Sequence, residues 1–393
     1  MPTDTLIWQP PAITPLDPAA EAAIRARIDG KAKPLGSLGQ IEDLAVQLGM
    51  IRHPGEPRGD NAVLMVFAGD HGLTAEGVSQ FPAAVTVGMV MTYLAGRACA
   101  NAFATASHVD VRVIDAGVAA TLPAHPDLID AKIRMGTGNA AREPAMTPQQ
   151  AAAALTKGCE LAVAEIRDGA DIIALGEMGI GNTASSSLLL HRLAPAPLEQ
   201  CIGVGAGQDS AGMAKKRAAI ELAAARSDVT APLDVLAEFG GLEIAMMAGA
   251  ILGAASMRRP VIIDGFIATA AALLAVRLCP AARGYCVFAH RSAAGGPGRG
   301  GGARGAPPRG ARGGRGGGGP RAGGGGGWGG PAPRAPPGAP PGAGPARDAK
   351  PLLELGLRLG EGTGAILAVP LLRAAARLLT DVADLSDVLA GKI

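Results

Sequence analysis

Two carboxylates stand in glycine-rich settings suited to chemistry. Glu361 lies in LGEGTG (359–364) between two apolar runs, and Glu177 lies in ALGEMGIGNTASSS (174–187). A carboxylate with little side-chain bulk around it can sit at the mouth of an apolar pocket. Partial desolvation there raises its proton affinity toward that of a general base. An exposed glutamate in a turn is the alternative for Glu361. Around Glu177, the glycines Gly176, Gly179 and Gly181 space out a loop that runs through Asn182 and Thr183 to three serines, Ser185, Ser186 and Ser187. Glycines let backbone N–H groups approach a ligand, and a helix N-terminus adds partial positive charge, so the stretch suits an anion. A tight strand-to-helix turn with polar capping residues is the competing reading. An anion cradle beside an acid or base points to chemistry on a phosphorylated small molecule.

A second glycine loop, GVGAGQDSAG (203–212), leads toward Lys215-Lys216-Arg217. These cations suit a phosphate, although a solvated helix face has the same composition. Neither loop carries the Gly-Lys-Ser/Thr of a P-loop, and the second lacks the full Gly-x-Gly-x-x-Gly spacing with a partner acid. Nucleotide hydrolysis and dinucleotide redox chemistry are thereby disfavoured. Asp70-His71, Asp115, Asp264 and His290 show no His-x-x-x-His or Asp-x-Asp spacing, so no metal is expected. Asp115 and Asp264 suit turn caps, with a direct ligand role as the sharper option. Phe81, Val85, Met89 and Val90 recur at near-helical spacing in GVSQFPAAVTVGMVMTYLAG (77–96). Core packing is the default for such a stripe; a flat aromatic substrate against Phe81 and Met89 is the alternative.

These residues need a frame, and the hydrophobic rhythm supplies one. Apolar runs at 62–68, 109–114, 172–175, 201–204, 261–263 and 285–289 each end in Gly, Asp, Glu or His. Helical patterns at 82–105, 148–167, 184–193, 210–226, 241–257 and 266–278 lie between most of them. Alternating strands and helices predict an α/β fold with a mainly parallel sheet covered on both faces. Ligands of such sheets bind at the carboxyl ends of the strands, where these loops converge. Asp17 can cap a helix over 18–28, and a second amphipathic pattern carries Leu38, Ile41, Leu44, Ala45 and Leu48. Too short to bury themselves, these N-terminal helices need a partner. The pattern of Leu367, Leu371, Ala375 and Leu378 near the other end provides one.

Composition narrows the class. The 393 residues are 48% hydrophobic but only 3% aromatic, so Ala, Leu, Val and Gly do the packing. Residues 291–349 hold nine arginines against one acid, Asp348, which leaves the rest of the chain mildly acidic and gives no reason to expect nucleic-acid binding. Five scattered cysteines without Cys-x-x-Cys read as reduced thiols. The N-terminus lacks signal-peptide character, and the most apolar stretch, 244–257, is too short to span a bilayer. A cytoplasmic protein is expected.

Six ordered stretches carry a family resemblance: FAGDHGLTAEGVS (67–79), RMGTGNAAREPAMT (134–147), ALGEMGIGNTAS, LAEFGGLEIAMMAGAILGAA (236–255), VIIDGFIATAAAL (261–273) and LELGLRLGEGTGAILAVPLL (353–372). Together they resemble the nicotinate-nucleotide–dimethylbenzimidazole phosphoribosyltransferase (CobT) family. The resemblance implies a Rossmann-like large domain, a small helical domain built from both chain ends, and a homodimer. It implies transfer of phosphoribose from nicotinate mononucleotide to 5,6-dimethylbenzimidazole, without a cofactor. Glu361 matches the family's general base and Glu177 its second active-site glutamate. Gly176, Gly179, Gly181 and Asn182 would line the phosphoribosyl site, with Gly205, Gly207 and Lys216 opposite and Phe81 against the benzimidazole. Met89 and Asp264 complete the candidate substrate contacts.

The expected division is 1–58 (N-terminal part of the small domain), 59–292 (large α/β domain), 293–349 and 350–393 (catalytic loop and completion of the small domain). Residues 293–349 hold 24 glycines and 11 prolines with no apolar periodicity. They read as a low-complexity, disordered stretch, or as GC-rich coding sequence in a shifted frame where the family has an acidic helix. A catalytically impaired nucleotide-binding homologue is the alternative that this replacement raises. Gly88, where many members have glutamine, leaves the choice of acceptor base open.

Overall fold

The computed structural model describes residues 8–194, 196–203, 205, 209–290 and 350–392. The expectations for Gly207 and for residues 293–349 lie outside the described residues.

Apolar β-branched runs form the strands β1 (Ala62–Gly69), β2 (Val109–Gly117), β3 (Leu128–Asp130), β4 (Ile172–Met178), β5 (Val261–Ile263) and β6 (Cys286–Phe288). Every pairing is parallel, and the order is β3-β2-β1-β4-β5-β6. All eight residues of β1 are buried, as a strand covered on both faces requires. The strand expected at 201–204 does not form among the described residues. Pro197 instead opens a helical turn through Cys201, and a short edge strand, β3, takes the sixth place.

The helices are α1 (Pro18–Asp29), α2 (Gln40–Arg52), α3 (Ala84–Leu94), α4 (Cys99–Ala106), α5 (Pro148–Arg167), α6 (Asn182–Leu193) and α7 (Leu198–Cys201), followed by α8 (Ser210–Arg226), α9 (Pro232–Phe239), α10 (Leu242–Ser256), α11 (Gly265–Leu278), α12 (Thr363–Thr380) and α13 (Leu385–Leu389). The single helix expected over 82–105 is two, because the chain turns at Gly96. Helix α10 packs on α5 and α11 and contacts β1, β2 and β4. Helix α12 packs on α2 and α4 and contacts β4 and β5. The apolar stretch 244–257 thus belongs to a core helix. Helix α12 is long and apolar enough to cross a membrane, yet most of it is buried against its neighbours. Its buried face runs through Ile366, Val369, Leu372, Ala376 and Leu379; Leu367 and Leu371 sit only at its margin.

The two chain ends meet. Asp17 caps α1 by accepting from the N–H of Ala19, and α1 packs on α2. The Ala32 N–H donates to the carbonyl of Ala383, and that of Leu385 to Gly30. Arg373 of α12 donates to the carbonyls of Gly59, Asp60, Ser107 and His108, tying α12 to the amino ends of β1 and β2. At the far rim, the N–H groups of Leu352 and Leu353 donate to the carbonyls of Phe288 and Ala289 at 3.1 and 2.9 Å. That pairing leads the chain toward Glu361.

Candidate functional site

Strands β1 and β4 are neighbours whose chains leave in opposite directions, and the carboxyl ends of strands at such a switch point flank a crevice. A cleft of about 430 Å³ opens there. Its floor is the β4 exit from Glu177 to Thr183. Phe81, Val85 and Met89 form an apolar flank, Lys216 and Gly205 stand opposite, and Asp264 and His290 close the β5–β6 side. Residues 358–361 cover the mouth. Residues far apart in sequence, Glu177, Lys216 and Glu361 among them, thus line one cleft.

Glu361 is 8% exposed and takes a positive φ of 62°. Such a conformation costs a glutamate about 1 kcal/mol, held here by packing. The loop lies directly on β4: a Cβ on Gly176 would stand 2.6 Å from the Glu361 carbonyl oxygen, and one on Gly360 would stand 2.7 Å from Glu177 Oε1. Gly176 therefore does not line the cleft as expected. It lies within β4, and its missing side chain is the space the Glu361 loop occupies. Burial raises the proton affinity of Glu361, opposed by the Tyr93 phenol and the Ala100 N–H in the first turn of α4.

Glu177 is also 8% exposed and accepts a hydrogen bond from Asn182 Nδ2. Burial, and then the charge of Glu243, push its pKa up to about 8. Glu243, on α10, is fully buried and pairs with His71 Nε2 at 2.6 Å, while His71 Nδ1 meets Ser185 Oγ at 2.9 Å. Burial alone would lower the His71 pKa; the Glu243 carboxylate, with Asp70 and Glu177, more than reverses this. The serine run does not serve the cleft. Ser185 faces His71, Ser187 donates to the Thr183 carbonyl and accepts from the Gly203 N–H, and Ser186 is fully buried.

Lys216, fully buried, donates to Thr183 Oγ1 at 2.7 Å and to the Gly203 carbonyl at 2.8 Å. Burial pushes its pKa down to about 8. Lys215 and Arg217 are exposed, so of the three cations Lys216 alone enters the cleft. Asp264 accepts from the Gly364 N–H at 3.3 Å, in the first turn of α12, and pairs with His290 Nδ1 at 2.8 Å. Burial raises its pKa, against the opposing effect of His290. It thus combines the capping and cleft-lining roles. Asp115 is a turn cap, accepting from the Val118 N–H.

Three contributors escaped the sequence reading. Arg358 is an exposed cation at the mouth, Phe266 extends the apolar wall, and Tyr93 backs Glu361. Tyr93 carried a signal, since it continues the Phe81–Val85–Met89 spacing by one more step of four. The other two carried none. Chemically, the cleft offers a helix N-terminus and a cation for a phosphate, an apolar slot for a flat ring, and a desolvated carboxylate between them.

Comparison with known proteins places this geometry. A family model described as phosphoribosyltransferase matches residues 13–300 and 346–388. A nicotinate-nucleotide–dimethylbenzimidazole phosphoribosyltransferase of Cupriavidus necator is 46% identical over 96% of both chains. The relative of the same name from Aromatoleum aromaticum is 45% identical over 95% of this chain and 96% of its own. The crystal structure of CobT from Thermus thermophilus superposes with a TM-score of 0.78 at 36% identity, covering 94% of this chain and 98% of the other.

Proposed function

The chain belongs to this phosphoribosyltransferase family, and from that premise we propose that it transfers phosphoribose from nicotinate mononucleotide to 5,6-dimethylbenzimidazole. The products are α-ribazole 5′-phosphate and nicotinate, on the path to cobalamin. The 3-2-1-4-5-6 strand order, that of Rossmann-type sheets, supports a nucleotide at the β1–β4 switch point.

The phosphate docks at the amino end of α6 and near Lys216, where the partial positive charge of the helix and a cation converge. The benzimidazole ring lies along Phe81, Val85 and Met89. One ring nitrogen gives its proton to Glu361 while the lone pair of the other forms the new bond to C1′. The electrons of the C1′–pyridinium bond leave with nicotinate, which departs as a neutral pyridine ring and needs no acid. Attack from the opposite face turns the β linkage into α. Glu177, protonated near neutral pH, donates to a ribose oxygen rather than accepting a proton. Holding two substrates in contact supplies most of the acceleration.

One observation carries the reading: Glu361 reaches, from the far end of the chain, into the cleft that holds Glu177 and Lys216. It also disfavours the impaired-homologue alternative, because the base-bearing loop is docked on β4. Incubating the protein with both substrates and resolving products by chromatography tests the proposal. Formation of α-ribazole phosphate supports it; saturable nucleotide binding without turnover overturns it. The reading includes a homodimer, as the family resemblance implies, and a cytoplasmic location, as the sequence composition leads one to expect, with sedimentation and cell fractionation as their tests.

A further inference from the structure

Helix α3 does two things at once. Phe81 precedes it, and Val85 and Met89 face the cleft. One turn further on, Tyr93 is 2% exposed and turned toward Glu361. Residues four apart lie on one helix face, so this is a single stripe. The Tyr93 hydroxyl and Glu361 Oε2 are both buried, and neither has a hydrogen-bond partner of good geometry among the described residues, although the two lie close enough to interact. The Tyr93 backbone is fixed in turn, because its carbonyl accepts from Asn101 Nδ2 at 3.2 Å while Asn101 Oδ1 accepts from the Ala98 N–H at 3.1 Å. The end of α3 and the start of α4 therefore form one rigid corner behind the carboxylate.

We infer that Tyr93 is a positioning residue for Glu361: its hydroxyl donates to the carboxylate, orients the remaining oxygen toward the acceptor ring, and couples base recognition along α3 to proton removal. The inference rests on Glu361 being the general base. An unpartnered carboxylate in a buried loop has no preferred rotamer, and a phenol is a donor that stays protonated there, since burial and the neighbouring Glu361 raise the Tyr93 pKa. The other groups facing this corner are the Ala100 N–H and Cys99 on α4, Glu177 on β4, the Asp264–His290 pair, and Arg358 at the mouth.

The test compares Tyr93→Phe with Glu361→Gln in the full-length protein. Tyr93→Phe keeps the ring and removes the donor. It is expected to lower kcat about tenfold at neutral pH, the scale of losing one hydrogen bond to a charged group. The KM for nicotinate mononucleotide should stay within about twofold by the same reasoning. Losing the donor raises the proton affinity of Glu361, so the acidic limb of kcat against pH moves to higher pH; a merely structural role leaves that limb in place. An unmoved limb with unchanged kcat, alongside an inactive Glu361→Gln, overturns the role of Tyr93 alone. An active Glu361→Gln overturns the general-base reading and this inference with it. Should Tyr93→Phe fail to fold, the wild-type sequence answers, because Tyr93 and Tyr285 are its two tyrosines. With 3-fluorotyrosine at both and Tyr285→Phe for assignment, the Tyr93 fluorine signal should titrate along the kcat limb and lose that step in Glu361→Gln. A signal that does not titrate overturns the inference.

Discussion

The carbonyl oxygen of Glu361 rests on Gly176, so closely that a Cβ at that glycine would lie 2.6 Å from it. A backbone contact between the Glu361 loop and the middle of the sheet fixes the height of the carboxylate above the cleft. Gly176→Ala forces the loop outward. Displacement of about 1 Å costs on the order of a hundredfold in rate, so kcat should fall by that order. Nicotinate mononucleotide affinity, measured by calorimetry, should change little because the phosphate loop is untouched.

Glu361→Gln preserves volume and removes the base. Turnover should drop at least about a hundredfold, the usual scale for losing general-base catalysis, with nucleotide binding nearly intact. Wild-type turnover in this variant removes Glu361 from the role.

Glu177→Gln separates activity from stability. The folded pKa of Glu177 is about 8 against 4.5 for an unperturbed glutamate. Folding must therefore take up a proton at neutral pH, and the cost grows as pH rises from 4.5 to about 8. The glutamine variant escapes it. Its Tm should exceed that of the wild type by roughly 5 °C at pH 7.5, and the advantage should vanish near pH 4. Activity should be largely kept near neutral pH, since the glutamine amide still donates to the ribose oxygen that protonated Glu177 serves. Melting curves across pH check the sign.

Lys216 titrates near 8 because it is buried. Its positive charge is present below that pH and lost above it, so the KM for nicotinate mononucleotide should rise through pH 8 to 9. Lys216→Met should raise KM roughly tenfold to a hundredfold, the range for losing hydrogen bonds to a charged group, and should flatten that alkaline rise. Steady-state kinetics from pH 6 to 9.5 test both.

The parallel sheet was legible because strands buried on both faces leave continuous apolar runs, and 148–167 and 210–226 stand as helices at those bounds. Strand β3 left almost no trace: Leu128–Asp130 has two apolar residues and owes its form to its neighbour β2. The run at 201–204 misled, because three or four apolar residues fit a buried turn as well as a strand. At the site, Glu177 and Glu361 declared themselves by type and setting, while Lys216 was set apart from Lys215 and Arg217 only by the family resemblance. Glu243 and Arg358 did not declare themselves, since their places depend on tertiary packing that no local spacing records, whereas Tyr93 extended the step-of-four stripe of Phe81, Val85 and Met89. The serines after Asn182 looked like ligand donors, yet α6 turns Ser185 and Ser187 inward.

Leu352 and Leu353 pair with the backbone beyond β6 before the chain reaches Glu361. The address of the Glu361 loop is thus written in hydrogen bonds within a few residues of the loop itself, and the length of peptide joining 290 to 350 does not enter it. A chain divided in that interval should work as two pieces: residues 1–290 and 350–393, expressed separately and mixed, should reassemble and recover turnover. The same logic makes the interval a natural place to open new termini in a circular permutant.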